Sequence, residues 1–281
     1  MTENSQADVV SAGGQMNLPP DQKISFGVFL FLFIRQFFAA FFNYTNLGVV
    51  FSRSARQWLG PSRPEFMPFP YFLIGFLCSL FAVFMDDYAK PTLCAQLTFV
   101  LYLIFTGCNS FRGFGVILSA FALRRLDTYV KAVVVLIMAA IFTTTFEFYL
   151  SELKPDLMFC IGFGIMIMLS ALCATSINYG CNDDPVSSYG SLSLMGLIII
   201  VIIGTAVTFT LLNFWVALSM IGICAFTRLV LGQYIYVKNI SASCDVVCGV
   251  QIVTMLLLML DLLFVSHSFE FLNSNVFPFA K

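Results

Sequence analysis

Apolar runs close to bilayer length, separated by short polar connections, fill most of this chain and leave few folds open to it. A helix needs about 20 consecutive apolar residues to cross the hydrocarbon of a membrane. Runs at Phe69–Met85, Thr92–Phe105, Ala132–Leu150, Leu157–Ile177, Leu192–Leu212, Phe214–Leu231 and Val250–Val265 approach or reach that length. The two runs flanking Asn213 form one nearly continuous stretch, which predicts a tight helical hairpin. The expected architecture is all-α, a polytopic transmembrane helical bundle of about seven spans. An eighth run, Ile24–Phe42, carries Arg35 at its centre and leads directly into Asn43, Tyr44, Thr45 and Asn46. A centred Arg costs about 2.5–3.5 kcal/mol on insertion scales, so this N-terminal segment is expected to be interfacial or re-entrant. Residues 1–22 are polar, lack the basic start of a signal peptide and read as a disordered tail. Residues 23–281 then form a single integral-membrane helical domain.

Composition agrees with this reading. Charged residues are 10% of the chain and hydrophobic residues 59%, against about 25% charged in soluble domains. No basic run or aromatic–basic interleaving points to nucleic acid. The net charge of −1 conceals an asymmetry. Arg53, Arg56, Arg63, Arg112, Arg124, Arg125, Lys131, Arg228 and Lys238 belong to one face, and Lys90, Lys154 and Lys281 to the other. Nine against three is a positive-inside signal. It puts the elaborated connections (Ser52–Pro68, Thr106–Lys131, Tyr179–Ser191 and Gly232–Gly249) in the cytoplasm, and the short turns Asp86–Pro91 and Ser151–Asp156 outside. No internal repeat of the kind expected of an alternating-access transporter is present. A single elaborated face suits a site that takes its ligand from the cytosol or the inner leaflet.

Cys78, Cys94, Cys160, Cys173 and Cys224 lie inside apolar runs, where thiols serve as small packing groups. Cys244 and Cys248 are close in sequence, but no second Cys or His cluster accompanies them, which argues against zinc. The 33 phenylalanines read as lipid-compatible filler.

The segment Thr106–Lys131 is too apolar for an ordinary loop and too glycine-broken for an ordinary helix, with Gly107, Gly113 and Gly115 close together. Irregular backbone persists at membrane depth where protein or a water-filled cavity satisfies its amides. Arg112 within it is either a bidentate anion ligand or a positive-inside anchor. Arg35 is either a functional intramembrane charge or a side chain reaching toward lipid phosphates. Arg124, Arg125 and Asp127 open an interfacial helix that leads into the next span. Asp183 and Asp184, in Asn-Asp-Asp-Pro, suit a divalent cation or a turn. Asp245 suits the start of the last helix, and Asp261 lies near its far end. No GxSxG, HExxH or P-loop motif is present.

Several short stretches, in order, resemble the cobalamin synthase family, the adenosylcobinamide-GDP ribazoletransferases. Phe33-Ile-Arg-Gln is similar to the family's opening F-x-T-R-L-P, with Arg35 in the arginine place. Pro68-Phe-Pro-Tyr-Phe-Leu-Ile-Gly resembles its F-P-L-x-G, and Phe105-Thr-Gly its T-G-G. Arg124-Arg-Leu-Asp resembles R-x-L-E-I-M. The most specific match is Leu231-Gly-Gln followed by Cys244-Asp-Val-Val-Cys-Gly-Val-Gln, which resembles L-G-x…G-D-x-L-G-A-x-x-E with Asp245 and Gly249 on matching positions. The resemblance covers roughly Phe29 to Leu263. It implies a helical bundle with cytoplasmic motif loops in a bacterial inner membrane, Mg²⁺, and joining of adenosylcobinamide-GDP to α-ribazole or its phosphate with release of GMP.

The family's signature, H-L-D-G-L-A-D-T-x-D-G, is where this chain departs. Gly113 remains, but Arg112, Val116 and Ser119 stand where the three aspartates belong, and Val130-Lys-Ala-Val-Val replaces M-K-D-S-R. If the reaction survives, the resemblance leaves Asp245 and Asp127 as catalytic acids and Asp183 and Asp184 for Mg²⁺. Arg35, Arg112, Arg125, Gly107 and Gly113 would then contact substrate. Two other readings follow: a degenerate member that binds a corrinoid or a partner without turnover, and a small transporter or structural subunit. Either could form a homo-oligomer or join a membrane complex.

Overall fold

A computed structural model describes residues 26–45, 59, 63–107, 113–118, 128–153, 157–178, 192–237 and 244–268. Every regular element among them is helical, in the order α1 (Phe26–Tyr44), a 3₁₀ turn (Pro64–Phe66), α2 (Pro68–Asp86), α3 (Pro91–Thr106), α4 (Thr128–Leu153), α5 (Leu157–Asn178), α6 (Leu194–Leu211), α7 (Phe214–Val237) and α8 (Cys244–Ser268). A short helical stretch at 113–118 lies between α3 and α4. Prolines open α2 and α3, where the missing N–H would be unpaired in any case.

The centre of the bundle is α5. From Gly162 to Ile177 every residue is buried, and α2, α6, α7 and α8 all pack on it. Small residues let α2 approach closely. A Cβ on Gly75 would lie 3.0 Å from the Gly164 Cα, and the Ser79 hydroxyl reaches the Cys160 carbonyl at 3.4 Å. Gly75 and Ser79 face Cys160 and Gly164, a small-xxx-small pairing of the kind that joins helices in lipid. On the other flank, aromatic rings bridge α3, α4 and α5. Phe142 meets Phe99 and Tyr102, while Phe146 and Tyr149 meet Phe163 and Phe159. Many phenylalanines face outward, as expected of filler, but these form the internal wall.

Among the described residues, five helices are long and apolar enough to cross a membrane: Pro64–Asp86, Phe159–Ile177, Leu194–Leu211, Phe214–Val237 and Val246–Phe264. The outermost, α6, buries only Ile200, Gly204 and Thr208 along one strip. Met195, Ile199 and Ile202 on it are each more than half exposed. An apolar surface of that extent is stable only in hydrocarbon, and the chain is an integral membrane protein.

The helix ends differ from the sequence expectation in places. With 16 residues, α3 is about 24 Å long, shorter than the bilayer core. The loop expected at Gly232–Gly249 is largely helical, because α7 runs to Val237 and α8 starts at Cys244. Ile235, Val246 and Val247 are buried there, so packing extends both helices past the apolar runs. The expected tail at residues 1–22 lies outside the described residues.

Candidate functional site

The contacts between helices set their directions and so the level of each side chain. Cys173 of α5 donates its thiol proton to the Cys224 carbonyl of α7 at 3.3 Å, and its side chain also meets Thr254 of α8. Nearer the short-turn end, Ser219 of α7 meets Asp261 of α8. Thus α7 runs parallel to α5, and α8 runs antiparallel to both. The ends of α3, α5 and α7 and the starts of α4, α6 and α8 share one end of the bundle, which carries the longer connections.

At that end the Thr106–Lys131 segment is described in part. Gly107 terminates α3 in the left-handed conformation, φ 64°, with its N–H bonded to the Leu103 carbonyl. This backbone role selects glycine whether or not a substrate is present. The 113–118 helix packs on the first turns of α8. A Cβ on Gly249 would lie 2.5 Å from the Gly113 carbonyl and 2.7 Å from Ile117. Glycine at 249 is therefore dictated by backbone approach. Val116 packs against the apolar core. Asp245 falls in the first turn of α8.

Arg35 belongs to a different cluster. Its Nε donates to the Leu59 carbonyl at 3.2 Å, and the neighbouring Gln36 side chain accepts from the Arg63 N–H at 3.1 Å. Phe33 stacks edge-on against Phe66. The middle of α1 therefore lies beside the chain entering α2, with the guanidinium half-buried at that level. In the same region Glu65 reaches the start of α6. Its carboxylate accepts from the Ser193 hydroxyl at 3.4 Å, and Ser193 caps the helix through the Gly196 N–H. A Cβ on Gly196 would run into the Glu65 side chain.

Arg112, Arg125, Asp127, Asp183 and Asp184 lie outside the described residues, as does the side chain of Asp245. Among the described residues no group of three or more His, Cys, Asp or Glu could hold a metal ion. Arg35 is bonded in the α1 cluster, whereas Gly113 meets Gly249 on α8.

Sequence reading passed over the polar side chains inside the seam of α5, α7 and α8. Gln251 is fully buried, with neither amide atom bonded, and the Thr227 hydroxyl is buried and unpartnered. Arg228 donates to the Ser176 carbonyl at 3.5 Å, near the carbonyl end of α5. The available signal was polar residues at helical spacing, Gln251 and Thr254, within an apolar run.

No family model, curated protein or solved structure matches the chain.

Proposed function

We propose that this chain is a divergent membrane protein of the cobalamin synthase type. It holds a corrinoid, or a phosphate-bearing corrinoid precursor, at the loop-bearing end of the bundle without catalysing the ribazole transfer. The observation that carries the reading is the close approach of Gly113 to Gly249. It brings Gly113, the glycine kept at the place of the family's signature, against the family-like stretch that opens α8, far away in the chain.

The loss of catalysis is argued from donor chemistry. Phosphoryl transfer relies on a divalent cation to neutralise developing charge. Arg112 is itself a cation, Val116 has no ligand atom and is packed against the core, and Ser119 is neutral. These residues do not fit Mg²⁺. On this reading α3 and α4 join the five long helices as spans, α1 lies at the interface, and the loop-bearing end faces the cytosol of a bacterium. The nine-to-three distribution of basic residues supports that orientation.

The test uses the full chain in nanodiscs with adenosylcobinamide-GDP, α-ribazole and Mg²⁺. Saturable corrinoid binding by absorbance, with no cobalamin formed, is the expected result. Cobalamin above background would overturn the non-catalytic reading. Absence of corrinoid binding, with other membrane subunits co-purifying, would replace it with a structural role.

A further inference from the structure

The three central helices meet in two successive polar layers. In the inner layer the Cys173 thiol bonds to the Cys224 carbonyl and its side chain meets Thr254. One turn toward the loop-bearing end, the residue three positions on in α5 is Ser176 and in α7 is Thr227. In antiparallel α8 the corresponding residue is Gln251. The register that joins Cys173, Cys224 and Thr254 therefore brings Ser176, Thr227 and Gln251 to one level. Both Gln251 (0% exposed) and Thr227 (3% exposed) lie on the buried stripes of their helices.

Ser176 donates to the Cys173 carbonyl at 2.6 Å, but the other two groups are not paired as buried polar groups ordinarily are. A threonine in a helix has its own i−4 carbonyl within reach, and Thr175, Thr208 and Thr254 all use it, at 2.7 to 2.8 Å. The Thr227 hydroxyl does not, and both amide atoms of Gln251 are also unbonded. Each such atom destabilises the closed seam, because its lost hydration is not replaced by a bond. An apolar side chain would remove that penalty. Arg228 stands over the layer, half-buried, and its 3.5 Å bond to the Ser176 carbonyl is at the limit of hydrogen-bond length.

We propose that the Ser176–Thr227–Gln251 layer is a binding site for a small anionic solute, closed in this conformation and opened at the Arg228 end. The guanidinium supplies the attracting charge. The Gln251 amide N–H and the Thr227 hydroxyl are neutral donors for the anion's oxygens, and the Gln251 carbonyl accepts from a protonated oxygen or an accompanying water. Displacing Arg228 from a single long bond is a smaller rearrangement than separating the α2–α5 crossing. The inference does not rest on the corrinoid reading.

The test is thiol access in the full chain in nanodiscs, with Cys108, Cys181 and Cys244 changed to Ser and the six buried cysteines left in place. Thr227→Cys is exposed to an anionic methanethiosulfonate (the ethylsulfonate) and to a cationic one (the ethyltrimethylammonium). With each rate taken relative to that reagent's rate with a free small-molecule thiol, the anionic reagent is expected to react about tenfold faster, and Arg228→Gln should bring the ratio close to one. Gln251→Leu, measured separately, should melt at or above the parent temperature. No modification of Thr227→Cys by either reagent, or equal rates with Arg228 present, would overturn the proposal. So would a Gln251→Leu variant that melts well below the parent, because the amide would then be satisfied in the closed seam.

Discussion

Gly249 shows how one hydrogen atom in place of a methyl group can fix a connection between distant segments. A methyl there would sit 2.5 Å from the Gly113 carbonyl, and a backbone carbonyl cannot move aside as a flexible side chain can. Gly249→Ala should therefore push the 113–118 stretch off α8, at the roughly 1–3 kcal/mol typical of overpacking. The expected result is a melting temperature several degrees lower in detergent. Gly222→Ala is the control, because a Cβ there meets nothing within 4 Å and alanine is the better helix former. Equal melting of the two variants would show that the contact is not tight. Gly107 and Gly249 were both visible in the sequence, and their reasons differ. Gly107 is legible locally, as a glycine just past an apolar run. The pairing of Gly249 with Gly113 is a tertiary fact that no local pattern encodes. Gln251 and Thr227 were illegible for a related cause: one polar residue in an apolar helix has no visible partner until the register between helices is known.

Among the elements, α6 depends most on its ends. It buries one narrow strip on α5, so its position owes much to Ser193 and Glu65. Ser193 accepts from the Gly196 N–H and donates to Glu65, which brings a carboxylate to the positive end of the helix dipole. Ser193→Ala removes the cap, worth about 1 kcal/mol, together with the hydroxyl that links to Glu65. Glu65→Gln keeps the shape over Gly196 and removes the charge, worth about 0.3–1 kcal/mol. Hydrogen exchange of the amides from Leu194 to Leu197 should accelerate in both variants, more in Ser193→Ala, with α5 unchanged. Equal protection in parent and variants would mean that α6 is held by its strip alone. Among the described residues, apolar runs located α1 to α8, since a run of bilayer length has few alternatives, but not the short helix at 113–118. Helix ends were less legible. Ile235, Val246 and Val247 are buried by neighbours, and that tertiary packing carries α7 and α8 beyond the runs that first marked them.

At the scale of the whole molecule, α3 decides how many helices cross. With 16 residues it is short for a span, yet Phe99 and Tyr102 pack against Phe142 of α4, and Thr92 at its start bonds to Glu147 near the end of α4. These contacts align α3 and α4 as an antiparallel pair over most of their common length, so α3 crosses if α4 does. A bilayer thins locally around a short helix at a fraction of a kcal/mol per Å, much less than leaving two apolar helices in water. Seven spans put Arg63, Thr128 and Tyr236 on one side of the membrane and Tyr88 and Asn213 on the other. Five spans, with α3 and α4 not crossing, move Thr128 to the side of Tyr88 and leave the others in place. Single cysteines at these five positions, in the background lacking Cys108, Cys181 and Cys244, separate the two cases with an impermeant maleimide. The maleimide is expected to modify Thr128→Cys from the same face as Arg63→Cys and Tyr236→Cys, and from that face only. Reaction of Thr128→Cys together with Tyr88→Cys and Asn213→Cys would reduce the count to five. Reaction of all five from one face would mean that the hairpins do not cross at all.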